Sequence, residues 1–175
     1  MSFEEIRVVA VVYTAVLLPL VIYWKYKSRL PKWIPSFYII SLIVCALGWE
    51  LWFTYGWLDG DPVDIRRSDN LNIWLPKNIN WLLNSMGDAG AILLGGAWLM
   101  WITHNKNLMI FKRWNWTAFM VLYIWCVSQN IFVEMFLYHD QLAEEKSLSW
   151  APLSPFGSYF NPVLFEFNER TIMLQ

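Results

Sequence analysis

Three carboxylates stand inside long apolar runs of this chain: Glu50 in GWELWF, Asp88 in NSMGDAG and Glu134 in NIFVEMF. Each has a hydrogen-bonding side chain four residues away, and residues four apart on a helix lie one above the other. The partners are Thr54 for Glu50, Asn84 for Asp88 and Asn130 for Glu134. An acid within a membrane span costs at least ~2.5 kcal/mol to insert, so it normally faces the bundle interior and serves a purpose there. Counted from the outer ends of their runs at ~1.5 Å per residue, Glu50 lies ~10 Å deep, Asp88 ~15 Å, Asn130 ~12 Å and Glu134 ~5 Å. Adjacent helices would bring such groups to one level.

Acids brought that close do not all ionise cheaply. A neutral acid beside an ionised one offers a proton donor and an acceptor in one place, which is what general acid–base catalysis needs. Aromatic faces such as Trp49, Trp52 and Trp98 attract developing positive charge. The set predicts protonation of an alkene or epoxide, followed by proton loss, on a greasy ligand held in an apolar, tryptophan-lined pocket. Glu50 and Asp88 are the expected acid/base pair, with Glu134 and Asn130 auxiliary and Thr54 and Asn84 as polar support. The competing structural account is that these acids bond to Asn, Thr and Trp N–H groups only to hold the helices in register.

The elements that would position these residues are membrane helices. Of 175 residues, 57% are hydrophobic and only 15% charged, against about a quarter charged in ordinary soluble domains. Four segments approach the roughly 20 residues that cross a bilayer: about Val8–Tyr26, Ser36–Trp57, Asn78–Thr103 and Trp114–Tyr138. The expected fold is an all-α, polytopic bundle of four spans over residues 1–149. An aromatic and polar tail over 150–175 would be a lumenal helix or the start of a fifth span.

The first and third connections hold Lys25, Lys27, Arg29 and Lys32, and Lys106, Lys112 and Arg113, while the second carries four aspartates. The positive-inside rule then puts the basic loops in the cytoplasm and the N-terminus, Asp-rich loop and tail outside or in a lumen. Trp57, Trp74, Trp114, Trp116 and Trp150 fall near helix ends, as an interfacial belt requires. Gly87, Ala91 and Gly95 recur at i+4, which predicts one flat face on the third helix. With Asn115 on the cytoplasmic side, its NWT sequon is expected to stay unmodified.

A net charge of −1 without like-charge blocks argues against a nucleic-acid partner. Cys45 and Cys126 read as small buried hydrophobes. His104 and His139 fall on opposite sides of the membrane, and no HxxH or ExxH spacing supports a metal. No cofactor is implied. The expected partners are the membrane and a hydrophobic lipid, with a homo-oligomer or a larger membrane complex as a further prospect. A non-catalytic accessory subunit or lipid-binding protein is the alternative function.

GWELWF, GDAGAILLGGAWLMW and QNIFVEMFLYHD, the last followed by a Pro- and aromatic-rich stretch, give residues 36–170 a layout that resembles the EXPERA-domain family of emopamil-binding sterol isomerases. The WE pair is also similar to that of the membrane-bound terpene cyclases of fungal meroterpenoid pathways. The resemblance implies an essential acid at Glu50, a third-helix acid at Asp88 and a last-helix asparagine at Asn168. Two positions depart from the family pattern: Ala46 stands where the isomerases have a histidine, and no Trp follows Asn168 closely.

Overall fold

The computed structural model describes residues 1–56, 61–143, 146, 163–167 and 170–173. The chain is mostly helical. Helix α1, Phe3–Tyr26, starts at a capping box, in which Ser2 Oγ accepts from Glu5 N (3.2 Å) while Glu5 Oε2 accepts from Ser2 N (2.7 Å). Next come α2 (Ile34–Leu47) and α3 (Trp49–Tyr55), bent 45° to each other. Gly48 makes the break, and a Cβ there would stand 2.7 Å from the Val44 carbonyl oxygen, so a side chain has no room.

Short helices α4 (Val63–Arg66) and α5 (Asp69–Trp74) fold the Asp-rich connection. Helix α6 (Lys77–Gly87) runs through a π-helical stretch, Asp88–Leu94, into α7 (Gly95–Thr103). Helix α8 (Trp116–Phe132) likewise passes into a π-helical stretch, Val133–Tyr138. Asn115, the sequon asparagine, caps α8 by accepting from Ala118 N at 3.0 Å.

Three helical stretches are long and apolar enough to cross a membrane: Phe3–Arg29, Lys77–Thr103 and Trp116–Tyr138. The count reaches four if the bent pair α2–α3 is one span. This marks a membrane protein. Trp74, Trp114 and Trp116 are exposed at helix ends, where indoles anchor to the interface. Trp57, Trp150 and Asn168 lie outside the described residues.

The π-helical stretch changes one expectation. Gly87, Ala91 and Gly95 do not share a face, because the wider turn takes an extra residue and breaks the i+4 register. A Cβ on Gly87 would meet Ala15 of α1 at 3.5 Å, whereas one on Gly95 would meet Trp125 of α8 at 3.6 Å. Close approach to α1 is continued by Gly90, whose Cβ would stand 3.3 Å from the Ala15 carbonyl and 3.4 Å from Pro19. Pro19 is buried in α1, so the proline packs on the Lys77–Thr103 stretch instead of breaking the helix.

The tail departs from an all-helical reading. Its described part is neither a lumenal helix nor a fifth span but an antiparallel pair, β1 (Val163–Phe167) with β2 (Arg170–Met173). The run VLFEF and the Thr-Ile of β2 are β-branched and aromatic, the composition that favours strands. Arg170 fixes the pair to the bundle by donating to the Met135 carbonyl (2.7 Å) and to Asp140 Oδ1 (3.0 Å), while Arg7 of α1 grips Asp140 Oδ2.

Candidate functional site

The break at Gly48 restarts the helix so that Glu50 falls in the first turn of α3. Glu50 is 5% exposed, and Thr54 Oγ1, itself fully buried, donates to its Oε2 at 3.3 Å. Asp88 begins the π-helical stretch after α6, and its Oδ2 accepts from Trp49 Nε1 at 2.7 Å. The indole beside one acid therefore holds the other.

Glu50 and Asp88 line a single cavity of about 440 Å³ between α1, α3, α6 and α8. Trp49, Trp52, Asn84 and Asn130 share its wall. Of the remaining candidates, Thr54 stands behind Glu50. Glu134 is buried and accepts from Asn130 Nδ2 at 2.9 Å without lining the cavity. Trp98 lines a different cavity, on the other side of Trp125.

The structure adds Asn80, Gln129, Tyr138 and Gln141 to the wall. Asn80 had a legible signal, since Asn80, Asn84 and Asp88 follow each other at intervals of four. Tyr138 had none: it reaches the site by stacking on Phe53, with ring centroids 5.0 Å apart, a contact between distant segments.

Both π-helical stretches coincide with acids of the predicted set, one opening on Asp88 and the other holding Glu134 second. Such turns recur at functional sites because they re-aim side chains and interrupt the regular bond ladder. Indoles meet the interruption in the first stretch and the break at Gly48, and Arg170 donates to the Met135 carbonyl in the second stretch. Trp125 Nε1 donates to the Ala91 carbonyl at 2.9 Å within the first stretch. Trp81 Nε1 donates to the Ala46 carbonyl at 2.8 Å beside the Gly48 break. Within a bilayer core a freed carbonyl has no water to turn to, and each unsatisfied group costs several kcal/mol. These two interior tryptophans are thus accounted for by the backbone breaks that shape the site.

The Asp-rich connection packs against the end of α3 and the start of α6, at one end of the bundle. Arg66 is 3% exposed, donates to the Phe53 carbonyl at the end of α3 and lies 4.6 Å from the Phe53 ring centroid. Arg67, equally buried, donates to Asn72 Oδ1 (3.2 Å), to Asn80 Oδ1 (2.9 Å) and to the Leu75 carbonyl. Burial pulls both guanidinium pKa values down to about 10, so both stay cationic at neutral pH. Nearby, the Lys77 ammonium bonds Asp64 Oδ2 at 2.8 Å and holds that carboxyl below its usual range.

At the other end, Tyr26 stacks edge-on to Trp101 (5.6 Å), and Trp33 to Phe111 (5.8 Å). There His104 bonds the Met100 carbonyl (2.9 Å) and Thr117 Oγ1 (2.8 Å). Among the described residues no group of three or more His, Cys, Asp and Glu is arranged to hold a metal ion. No family model matches the sequence, and no curated protein and no solved structure matches it either.

Proposed function

We propose that this chain is an integral membrane isomerase or cyclase of a sterol or terpenoid lipid, working by proton transfer through a carbocation. The observation that carries the reading is that Glu50 and Asp88, from two different helices, stand on the wall of one ligand-sized cavity. Acids that only held the bundle in register would pair across a filled interface. The resemblance to the EXPERA-domain family leads to the same chemistry.

The cycle moves one proton in and one out. A carboxylic acid O–H gives its proton to an alkene carbon or epoxide oxygen, leaving a carboxylate and a carbocation. The cation rearranges or closes a ring, and the second carboxylate then removes a C–H proton to restore an alkene. A proton passed back between the acids resets the pair, so no oxidant or reductant is consumed. Glu50 occupies the drier place, where a neutral acid is the cheaper tenant. It is therefore assigned as donor, and Asp88, already accepting the Trp49 N–H, as acceptor. Trp49, Trp52 and Phe53 offer ring faces to the cation.

In this reading α2–α3 is one bent span, giving four spans. The basic loops face the cytoplasm, and the Asp-rich connection with its buried arginines packs at the lumenal end.

The test is incubation of the detergent-solubilised protein in D₂O with unsaturated sterols and with linear isoprenoid epoxides, followed by mass analysis of products. Sterol isomers carrying one deuterium on carbon, and cyclised or rearranged alcohols from the epoxides, are expected, and Glu50→Gln and Asp88→Asn should each abolish them. Unchanged turnover in both variants would remove the mechanism. Tight retention of a lipid with no turnover by the unmodified protein would favour the lipid-binding or accessory role.

A further inference from the structure

The end of the bundle away from the Asp-rich connection is cationic throughout. No acidic residue occurs between Glu5 and Glu50 or between Asp88 and Glu134, and the turns in those intervals hold Lys25, Lys27, Arg29 and Lys32, and Lys106, Lys112 and Arg113. All seven are exposed, and among the described residues none is paired with a carboxylate. The edge-on contact of Trp33 with Phe111 holds the two basic turns against each other. Exposed Trp24, Trp114 and Trp116 put this end at headgroup level.

An apolar cavity of about 490 Å³, separate from the acid site, runs up to these turns. Its wall on α1 extends from Ala10 to Tyr23, and Leu30, Ile34 and Phe111 line its basic end. Leu30 directly follows Arg29, and Lys112 directly follows Phe111. Ala10, Thr14 and Leu18, four residues apart, line the cavity and are exposed, so it is a groove open along α1 and not a sealed chamber. From Ala10 to Ile22 it runs ~18 Å at ~1.5 Å per residue, close to the ~15 Å of hydrocarbon in one leaflet.

We propose that this groove binds an anionic glycerophospholipid. One acyl chain lies along α1, and the phosphate sits among Arg29, Lys32 and Lys112 at the mouth. Basic pockets between transmembrane helices hold anionic headgroups in this way. A zwitterionic lipid brings a cation of its own that these residues repel. A second copy of the chain, inserted the same way up, would bring its basic turns to the same level, charge against charge. The site uses neither Glu50 nor Asp88, so it stands independently of the proposed catalysis.

The test is native mass spectrometry of the full chain in detergent, titrated at low ionic strength with dioleoyl phosphatidylglycerol or dioleoyl phosphatidylcholine. Each cation at headgroup level is worth roughly fivefold in affinity. Phosphatidylglycerol should therefore bind at least about tenfold more tightly than phosphatidylcholine, and Lys32→Gln with Lys112→Gln should weaken it by about 25-fold while leaving phosphatidylcholine unchanged. A diazirine at the tip of the phosphatidylglycerol acyl chain should label residues 10–18 and 91–98, and Thr14→Trp, which fills the groove at an exposed position, should abolish that labelling.

Equal affinity for the two lipids, or a preference that survives the double variant, would overturn the site. A preference lost in the double variant, with tip labels spread over the bundle and unchanged by Thr14→Trp, would reduce the cations to a charged surface and overturn the groove. A dimer that Thr14→Trp dissociates would assign the groove to a second copy instead.

Discussion

Asp140 joins three parts of the chain, and its replacement has a calculable consequence. Its side chain is fully buried between Arg7 and Arg170, each 29% exposed. Arg7 donates twice to Oδ2, from Nε at 2.7 Å and from Nη2, and Arg170 donates once to Oδ1 at 3.0 Å. Bonds to a charged group contribute about 1.5–3 kcal/mol each when dry. The partial exposure of both guanidinium groups screens much of that, and ~1 kcal/mol per bond is a fair discount, so the three bonds together hold about 3 kcal/mol.

Asp140→Asn keeps one acceptor oxygen; turned to Arg7, it leaves Arg170 without its carboxylate bond, a loss of about 1 kcal/mol, which at 1.36 kcal/mol per decade is a factor of about 5. The loss concerns the attachment of β1–β2, because Arg170 ties the hairpin to Asp140 and to the Met135 carbonyl. Amide hydrogen exchange over residues 163–173, followed by mass spectrometry in detergent, reads that local opening directly. Exchange about five-fold faster in Asp140→Asn, and a smaller effect in Arg7→Met, which leaves the Arg170 bond in place, are expected. Unchanged exchange over 163–173 would refute the latch, since the amides would then owe their protection to the ladder alone.

Further perturbations address the site and its supports. Trp49→Phe keeps the ring but deletes the N–H bonded to Asp88; a bond to a charged group is worth about 1.5–3 kcal/mol, so turnover in the deuterium assay should fall by one to two decades. Gly90→Leu drives a side chain into the Ala15 carbonyl and Pro19; overpacking of this kind costs about 1–3 kcal/mol, visible as earlier thermal exposure of the buried Cys45 thiol to a thiol-reactive dye. The Asp64 carboxyl, held low by Lys77, contributes stability that is present above its unfolded pKa and lost as pH falls through the lower folded value. With Asp64 37% exposed, Lys77→Met should flatten the acid limb of a thermal-unfolding series by well under ~1 kcal/mol. A larger change would mean the pair is more deeply shielded than its exposure implies.

Much of this protein is legible in its sequence because a bilayer imposes simple rules. Apolar length locates spans, and intervals of four put Thr54 with Glu50 and Asn130 with Glu134, bonds that form within one helix and need no partner segment. Tryptophans at helix ends followed from the same rules. The strand pairing of 163–173 was masked by its Glu and Arg, which read as polar tail.

What only the tertiary structure decided is everything that depends on how helices face each other. The π-helical stretches at Asp88 and Val133 shift register by an addition that periodicity cannot reveal, and they separate Gly87 from Gly95. The pairing of Trp49 with Asp88 joins two helices, and no spacing encodes it. The same holds for Trp125 at the wall between two cavities, and for Trp98, assigned from sequence to the acid site but found in the apolar cavity. Sequence fixes the axial height of a side chain through the rise per residue; the azimuth relative to a neighbouring helix is set by packing, and a single widened turn alters it by a whole residue.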